Sequence, residues 1–388
     1  MNVLMGAESL QPPLTGIGNY TLNLLREFQG LPAIDAVECF DGVRFSPAEE
    51  VLSRQVSCVK PSGGWKSKLR SSVRALPLAY RLKATWSGAR FRQGDGARRD
   101  FVYHEPNFIL KDHEGPAVTT VHDLSFVSHP QFHPAERVAW LSRQLPRTLD
   151  RANFVITDSE IVRTQLIEQF SVPPDRVAAI YLGADARFIP RPEESTESVL
   201  SRYGLVHGRY LAFVGTIEPR KGLSVLLDAW ERLPVAVRRN WPLVIAGAPG
   251  WQNAALINRI LAFQANGEVR FLQFVSDDDL PFIYAGATVF VYPSIYEGFG
   301  LPVLEAMSCG VPVICGIGTS MAEFAEGACC LVDVEQAESL AAAILALVEN
   351  PGLRIQMASE GQRQASRFSW SRCAQETLDV YVKAMESS

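Results

Sequence analysis

The amino-acid sequence predicts an α/β protein of two doubly wound parallel-sheet domains that face each other across a cleft. In both halves, short apolar segments rich in β-branched residues alternate with longer segments of helical periodicity, the pattern of strand and crossover helix. A polar, proline-bearing stretch at 187–195 interrupts this alternation, and a length of 388 residues suits two domains. We therefore expect an N-terminal domain over 1–188, joined by a C-terminal helix at 371–388, and a second domain over 189–370.

The predicted strands follow from apolar composition, and the helices from their period and caps. Strands are expected in the first half at 2–5, 36–40, 101–104, 117–122, 154–157 and 177–182, and helices at 19–28, 134–150 and 159–170. Strands are expected in the second half at 210–215, 243–247, 269–274, 288–292, 311–315 and 329–332. Because doubly wound sheets bind ligands at the carboxyl ends of their strands, we expect a cleft that collects both sets of ends.

Composition limits the class of protein. The chain is 47% hydrophobic and 20% charged, and its seven cysteines show no C-x-x-C spacing, which favours reduced, buried thiols over disulfides or zinc. The N-terminus lacks the basic start of a signal peptide, and no apolar run reaches membrane-spanning length. The sequence therefore predicts a cytoplasmic protein.

A strongly basic stretch lies between Lys60 and Arg99. It contains eleven lysines and arginines and one acidic residue, Asp95, although the whole chain has a net charge of −5. Apolar side chains such as Trp65 and Trp86 are interleaved with these charges, which is typical of segments that bind anionic lipid surfaces. A solvated helical face gives the same pattern, so both interpretations stay open. Nucleic acid is not an expected partner, because the rest of the chain is acidic and carries no nucleic-acid motif.

The most informative segment is 296–306. An apolar predicted strand ends at Pro293, and a glycine turn then leads into a helix with Pro302 in its first turn. The free amides at such a helix start favour an anion such as pyrophosphate. Glu297 is explained equally well by favourable interaction with the helix dipole, but Glu305 lies inside an apolar helix and needs water or a partner. A carboxylate at that position can accept hydrogen bonds from the diol of a ribose.

Three further segments suit the same ligand. The segment 213–222 is a strand that ends in glycine, followed by Arg220 and Lys221, which could clamp a diphosphate, although such pairs are common on protein surfaces. The segment 15–20 resembles a phosphate-binding turn, although a flexible loop explains it as well. His122 ends an apolar strand and could contact a sugar hydroxyl, although a plain strand-end histidine is the commoner case.

No metal site or hydrolase centre is predicted. The run from Ser276 to Leu280 contains an Asp-x-Asp, but Ser276 and Asp279 occupy capping-box positions before a helical pattern, and we interpret the run as a helix cap. The histidines show no metal-ligand spacing, and no nucleophile elbow is present. Neither a metal nor another cofactor is expected, and a nucleoside diphosphate sugar would be a substrate.

These segments resemble the retaining GT-B glycosyltransferases of family 4. The stretch from Glu297 to Glu305 resembles the E-x7-E motif of that family, and 214–222 resembles its phosphate clamp. The segments 16–20, 121–126 and 181–185 match further landmarks, so the resemblance covers nearly the whole chain. It implies the GT-B fold of two Rossmann-like domains and a hexosyltransferase activity.

The resemblance also implies roles for the matching residues of the second half. Glu297 would lie near the hydroxyls of the donor sugar, and Glu305 would bind the ribose. The backbone amides of Phe299, Gly300 and Leu301 would bind sugar and phosphate.

The clamp and the first half would complete this donor site. Lys221, assisted by Arg220, would neutralise the diphosphate, His122 would contact the sugar, and the loop from Gly16 to Gly18 would close on the donor. Many relatives carry an arginine directly after the clamp glycine, where this chain has Thr216. Arg220 is therefore the candidate substitute for that arginine.

The resemblance further implies a retaining transfer in which the nucleoside diphosphate leaves. Charge that develops on the diphosphate would be stabilised by the two cations and the helix start, so no metal would be needed. We expect a hexose, favouring mannose or rhamnose from a GDP-linked donor, to pass to a lipid-linked saccharide of a bacterial surface polysaccharide of the O-antigen type. The enzyme would be cytoplasmic, with peripheral attachment to the inner face of the membrane through 60–99.

Two other classes fit part of the pattern. A non-hydrolysing nucleotide-sugar epimerase shares the two-domain plan, and release of free nucleoside diphosphate without acceptor dependence would separate the two activities. A non-catalytic sugar-nucleotide-binding module would bind the donor without turnover.

Overall fold

The computed structural model describes residues 1–11, 14–57, 77–250 and 253–387. The chain divides into two compact units, Met1–Tyr181 with Trp370–Ser388 (unit 1) and Leu182–Ser369 (unit 2). The division after Tyr181 comes earlier in the chain than the expected boundary at 188. The connecting residues pack within unit 2, because the ring of Phe188 contacts Tyr284 at 5.5 Å between centroids and the guanidinium of Arg191 lies 4.3 Å from the ring of Phe282.

Unit 1 contains a seven-stranded sheet with helices along its chain crossovers. The strands are β1 (Asn2–Gly6), β2 (Ala36–Phe40), β3 (Phe45–Pro47), β4 (Val102–Glu105), β5 (Ala117–Val121), β6 (Phe154–Thr157) and β7 (Val177–Ala179). The helices are α1 (Gly16–Phe28), α2 (Ala48–Ser57), α3 (Pro77–Asp95), α4 (Ser125–Ser128), α5 (Ala135–Arg151), α6 (Glu160–Phe170) and, at the C-terminus, α16 (Trp370–Glu386).

The strand order of this sheet is β3-β2-β1-β4-β5-β6-β7. All pairs are parallel except β2 with β3, an antiparallel edge strand that the sequence analysis did not predict. The interior strand β5 is buried along its whole length, as its apolar and threonine-rich sequence predicts. The order reverses between β1 and β4, so the carboxyl ends of those strands flank the switch point where such sheets bind ligands.

Unit 2 contains a six-stranded, wholly parallel sheet. Its strands are β8 (Leu211–Val214), β9 (Leu243–Ala246), β10 (Val269–Gln273), β11 (Val289–Tyr292), β12 (Val313–Gly316) and β13 (Cys330–Val332), in the order β10-β9-β8-β11-β12-β13. Its helices are α7 (Glu193–Leu200), α8 (Leu223–Arg232), α9 (Val235–Asn240), α10 (Ala254–Ala265), α11 (Leu280–Ala285), α12 (Leu301–Ser308), α13 (Ala322–Ala325), α14 (Ala337–Glu349) and α15 (Pro351–Ala365). The switch point lies between β8 and β11.

Helix ends follow the local sequence closely. Ser159 caps α6 by accepting a hydrogen bond from the Val162 amide at 3.3 Å, as its position predicts. Gly310 has a φ of +71° just beyond α12, a left-handed conformation that glycine adopts without strain. Among the described helices, none is long and apolar enough to cross a membrane.

Candidate functional site

Four charged side chains cluster at the carboxyl ends of β8 and β11 in unit 2. The Lys221 Nζ lies 2.6 Å from Glu297 Oε1, and an Arg220 terminal nitrogen lies 3.3 Å from Glu297 Oε2. The other terminal nitrogen of Arg220 lies 2.9 Å from Glu218 Oε1. The structure therefore brings together three predicted catalytic residues, Glu297, Lys221 and Arg220, and adds Glu218. We refer to these four residues as the donor-side cluster.

The carboxylate of Glu297 is held by neutral donors as well as by cations. The Tyr292 hydroxyl donates to Oε1 at 3.0 Å, and the Ser294 hydroxyl donates to the same oxygen at 2.6 Å. The Ser320 hydroxyl donates to the backbone carbonyl of Glu297 at 2.8 Å. Glu297 is thus fixed in one position, and its charge is spread over several donors.

Backbone contacts between the two strand-end loops place these side chains. The amide of Ile295 donates to the Arg220 carbonyl at 2.9 Å. A Cβ at Gly222 would lie 1.8 Å from the Pro293 carbonyl oxygen, and Gly222 itself has a φ of +68°. Only glycine permits this close approach, so the glycine after Lys221 joins the clamp loop to the loop that carries Glu297.

The cluster perturbs the protonation of its members. Burial alone would raise the pKa of Glu297, but Lys221 and Arg220 outweigh burial and hold this pKa below its usual range. Burial lowers the pKa of Lys221, with Glu297 opposing and Arg220 reinforcing that change. Glu297 is therefore an anion at neutral pH, unsuited to donate a proton.

Arg220 has a different geometry from the one predicted for it. One terminal nitrogen donates to the Tyr296 carbonyl at 2.9 Å as well as to Glu297, and the other donates to Glu218, which is 3% exposed. These contacts hold the guanidinium against protein groups, so Arg220 braces Glu297 in this structure. Thr216, which stands where many relatives have arginine, is exposed.

The predicted helix start is present at Gly300. Helix α12 begins at Leu301, with Pro302 in its first turn, and the first amides of a helix have no partner within it. Gly300 has a φ of +107°, and a Cβ there would lie 2.4 Å from Met321 Cγ. The side chain of Phe299 is buried and lies 4.7 Å from the ring of Phe324, so only its backbone is suited to a ligand contact.

Glu305 lies one turn into α12 and is separate from the donor-side cluster. The residue keeps some solvent exposure, but protein atoms surround its carboxyl group, and burial raises its pKa to about 8. The nearby Tyr284 hydroxyl lowers this pKa in part, although it makes no hydrogen bond of good geometry within the described residues. Glu305 thus differs from Glu297, because burial, together with Asp185 and Asp277, outweighs the Tyr284 hydroxyl and the Arg187 guanidinium in setting its pKa.

In unit 1, His122 is held at both ring nitrogens. Its Nδ1 lies 2.8 Å from Asp158 Oδ2, and its Nε2 lies 2.7 Å from the Pro106 carbonyl oxygen. Burial alone would lower the pKa of His122, but Asp158 outweighs burial and raises it. A sugar oxygen could bind Nε2 only in place of the Pro106 carbonyl.

The two predicted loop glycines of unit 1 lie at the start of α1. A Cβ at Gly18 would lie 2.7 Å from the Ser9 carbonyl oxygen, so Gly18 has a packing reason to be glycine. A Cβ at Gly16 would meet nothing within 4 Å, and this residue is exposed at the first position of the helix. Gly16 is therefore accessible to a ligand, whereas Gly18 is buried.

Four residues of these sites were not predicted from the sequence: Glu218, Tyr292, Ser294 and Asp158. Tyr292 and Ser294 are two residues apart in an extended segment, and side chains at that spacing project to the same side. This spacing is a sequence signal that could have identified both as neighbours of Glu297. No local signal marks Asp158, because its partner His122 lies 36 residues away in the chain. Glu218 lies two residues before its partner Arg220, so this pair is local in sequence.

In the segment 276–280, Ser276 accepts a hydrogen bond as predicted for a cap, whereas the side chains of Asp278 and Asp279 are paired with residues outside the segment. The Asp279 amide donates to Ser276 Oγ at 3.2 Å, just before α11. The carboxylate of Asp279 binds Arg202 at 2.6 Å and the Tyr203 hydroxyl at 2.7 Å. Asp278 lies 3.6 Å from Arg187.

Known proteins show similarity to the whole chain. Residues 14–188 match the model for "Glycosyltransferase Family 4", and residues 205–364 match "Glycosyl transferases group 1". The O-antigen chain mannosyltransferase B of Escherichia coli is 35% identical over 389 residues, covering 98% of this chain and 99% of that protein. The serotype-specific mannosyltransferase WbdA of Escherichia coli is 26% identical over 243 residues, 62% of this chain and 30% of WbdA.

Solved structures show the same fold at low identity. Anabaena HepE in complex with UDP and glucose superposes with a TM-score of 0.70 at 18% identity and covers 98% of both chains. The two parallel-sheet units therefore have the GT-B fold predicted from the sequence.

Proposed function

The chain belongs to glycosyltransferase family 4, and we propose that it transfers mannose from GDP-mannose to a lipid-linked saccharide during synthesis of an O-antigen-type polysaccharide. That it is a hexosyltransferase follows from the family and from the mannosyltransferase relative. The functions of the Escherichia coli relatives, both mannosyltransferases, support mannose as the sugar, and the O-antigen relative supports the product class. GDP-rhamnose is the second donor to test.

The donor-side cluster is the observation that carries this proposal. Two cations and two carboxylates balance one another there, next to the start of α12. A diphosphate would add negative charge that Lys221 can take up, because its Nζ has three donors and one of them points at Glu297. Arg220 would keep Glu297 in place beside the sugar while the helix start binds phosphate oxygen.

The proposed reaction is a transfer with retention of configuration. The acceptor hydroxyl attacks the anomeric carbon on the face from which the diphosphate departs, the bond from that carbon to the phosphate oxygen breaks, and the hydroxyl proton passes to a departing phosphate oxygen. Lys221 and the α12 amides stabilise the charge that grows on the leaving group, so we propose that no metal takes part.

A covalent intermediate on Glu297 is disfavoured by its contacts. Lys221, Arg220, Tyr292 and Ser294 all donate to its two oxygens. Such donors stabilise the anion and reduce its nucleophilicity. Glu297 would instead place its negative charge near the positive charge that develops on the sugar ring.

The remaining predicted residues complete the proposed donor site. Glu305, as the carboxylate, would accept hydrogen bonds from the ribose diol. His122 would donate a hydrogen bond from Nε2 to a sugar oxygen, and the backbone at Gly16 would approach the donor. Within its own unit, His122 directly follows β5, Gly16 starts α1 and Glu305 lies on α12.

We also propose that the protein is cytoplasmic and binds the inner face of the membrane through the basic stretch 60–99. Much of that stretch lies outside the described residues. In the described part, Trp86 is 49% exposed and Arg90 lies 5.5 Å from its ring, a pair suited to a lipid interface. In contrast, Arg98 and Arg99 pair with Glu38 and Glu114, so their charges are already balanced within unit 1.

A donor screen tests the proposal. Purified protein is melted with GDP-mannose, GDP-rhamnose, UDP-glucose and dTDP-rhamnose, and then incubated with the best ligand and a lipid-linked saccharide extract. We expect GDP-mannose to raise the melting temperature most, and the acceptor to gain one mannose with release of GDP.

Three results would contradict the proposal. Conversion of the nucleotide sugar into its epimer, without an acceptor and without net release of GDP, would indicate an epimerase. Binding without turnover for every acceptor would indicate a binding module. A strong preference for a UDP- or dTDP-sugar would exclude the proposed donor.

A further inference from the structure

A buried carboxylate, Asp158, contacts His122 and has no assigned role. Residues Val121 and Thr157 are paired in register at the ends of β5 and β6, so the next residues, His122 and Asp158, emerge side by side. His122 in turn contacts the carbonyl of Pro106, which follows β4 directly. Three neighbouring strand ends are therefore joined through one imidazole ring.

We infer that Asp158 is a positioning residue for His122, and that one proton shared between Asp158 Oδ2 and His122 Nδ1 fixes the ring with its Nε2 proton directed at the carboxyl edge of the sheet. This inference rests on the proposed contact between His122 and the donor sugar. Asp158 itself touches no reacting atom in this scheme.

The hydrogen-bond geometry requires a shared proton. The Pro106 carbonyl can only accept, so Nε2 must carry a proton. At 2.8 Å, Nδ1 and Oδ2 also need one proton between them, because two bare lone pairs would repel each other. If that proton were lost, the ring would be free to rotate and the Nε2 proton would lose its fixed direction.

The environment of Asp158 favours sharing over a fully separated ion pair. Its Oδ1 is buried and has no hydrogen-bond partner within the described residues. A full charge on an incompletely solvated carboxylate is unfavourable, and burial raises the pKa of Asp158 although His122 opposes this. Burial therefore opposes full separation of charge between Asp158 and His122, and a proton held between the two atoms limits that separation.

The neighbouring His104 provides an internal comparison. It is also buried, but its ring nitrogens contact only neutral groups, the Tyr381 hydroxyl at 2.6 Å and the Thr120 hydroxyl at 2.8 Å. Burial, with a smaller contribution from His122, lowers the pKa of His104 to about 3. The carboxylate of Asp158 is the main difference between the two rings.

Other titratable groups also face this pair. Asp123 follows His122 directly and raises its pKa further, whereas His104 lies on β4. The Tyr20 ring, on α1, lies 5.0 Å from the His122 ring. Cys373 and Tyr381 approach from α16, and burial raises the pKa of both groups, so they stay neutral near pH 7.

The test combines Asp158→Asn with histidine-resolved NMR and kinetics. In the wild type, the His122 ring should keep its Nδ1 proton at pH values above the usual pKa of histidine. The chemical shift of Nδ1 should be typical of a proton shared with an acceptor. In Asp158→Asn, we expect a neutral ring with protonated Nε2 from pH 6 to 9, because a buried histidine with neutral partners titrates near the value of His104.

The kinetic expectation is a loss of kcat by about tenfold to a hundredfold, by analogy with removal of the partner that orients a metal-binding histidine. The alkaline decline of kcat that follows His122 should disappear. Profiles are also measured in a Glu305→Gln background, so that the titration of Glu305 does not overlap. Asp158→Glu should restore part of the pH dependence, and Asp175→Asn, at an exposed position, is the charge control.

Two outcomes separate the inference from the proposed function. If Asp158→Asn leaves the His122 signals and the pH profile as in the wild type, the inference is wrong. If His122→Ala retains full activity while the wild-type NMR shows the shared proton, the proposed sugar contact is wrong and the pair only supports the Pro106 loop. The wild-type titration needs no variant, so a folding defect in Asp158→Asn would not prevent a decision.

Discussion

The carboxyl edges of the two sheets use charge in different ways. In unit 2, Glu218, Arg220, Lys221 and Glu297 form two cations balanced by two carboxylates. In unit 1, Lys111 lies between two carboxylates, 2.9 Å from Glu8 and 3.0 Å from Glu105, near the β1–β4 switch point. We refer to Glu8, Glu105 and Lys111 as the unit 1 triad.

This difference indicates which ligand suits each edge. A phosphate group at the donor-side cluster would meet two cations. Lys221 can bind it in addition to Glu297, because its Nζ has three donors and one of them binds Glu297. An anion at the unit 1 triad would instead meet an excess of negative charge, which favours a neutral, hydroxyl-bearing ligand there. The comparison agrees with a proposed nucleotide donor on unit 2 and a saccharide acceptor on unit 1.

The largest effect on activity is expected when the charge balance of the donor-side cluster in unit 2 is removed. Replacing Lys221 with methionine removes the cation nearest to Glu297 while keeping much of the side-chain volume. We expect kcat to fall by about 10²–10³-fold, as for loss of one group that stabilises transition-state charge. Steady-state kinetics measure this, with Lys383→Met on the exposed face of α16 as the control. A decrease of less than about fivefold would contradict the role of Lys221.

The next effect concerns stability in unit 1. Lys111→Met would leave Glu8 and Glu105 without their shared cation, and breaking a buried ion pair destabilises a protein by about 3 kcal/mol. Burial raises the pKa of Glu105 although Lys111 opposes it, so the loss should be smaller at pH 5, where this carboxyl takes up a proton more readily.

Urea denaturation at pH 5 and 8 measures the free energy of unfolding of Lys111→Met. Arg92→Met, which removes an exposed pair with Asp112, should change it little. Equal destabilisation of Lys111→Met at both pH values would show that the two carboxylates do not repel each other.

A smaller effect should distinguish Glu305 from Glu297. Because the pKa of Glu305 is about 8, its carboxyl is mostly protonated at pH 7 in the free protein. The ribose diol donates to the ionised form, so donor affinity should rise as pH increases towards 8, by up to tenfold per pH unit. Glu305→Gln should weaken binding and remove this slope in calorimetric titrations from pH 6 to 8.5. A flat wild-type profile would contradict the ribose contact.

The smallest effect is expected at Thr216. Thr216→Arg restores the arginine that many relatives carry, at an exposed position. Since an exposed charge pair contributes at most about 1 kcal/mol, donor affinity should increase no more than about fivefold. Thr216→Gln controls for side-chain length. A hundredfold increase would show that the present cations leave the diphosphate largely uncompensated.

Most of the fold could be predicted because its signals are local. Strands such as β5 and β11 are continuous apolar runs, and their observed bounds lie within two residues of the predicted ones. The helix start at Leu301 follows from the glycine turn and Pro302. The short antiparallel strand β3 has no such signal, since three residues give too little pattern.

Parts of the sites depended on contacts that local patterns do not encode. Asp158 and His122 are separated by 36 residues and meet only because β5 and β6 are paired in register. Arg220 and Lys221 are adjacent in sequence and both contact Glu297, yet only Arg220 also binds Glu218 and the Tyr296 carbonyl among the contacts of the described residues. The early division between units, after Tyr181, likewise reflects the packing of Phe188 and Arg191.

The sequence by itself determined the two parallel sheets, the glycine turns and the candidate residues, because apolar periodicity and backbone permissiveness act over a few residues. Only the tertiary structure decided how those residues are charged. Glu297 and Glu305 have the same side chain. Glu297 contacts two cations and has a lowered pKa, whereas burial raises the pKa of Glu305 to about 8. The free energy of an ionised group depends on which partners and how much water surround it, and both are set by strand pairing and packing.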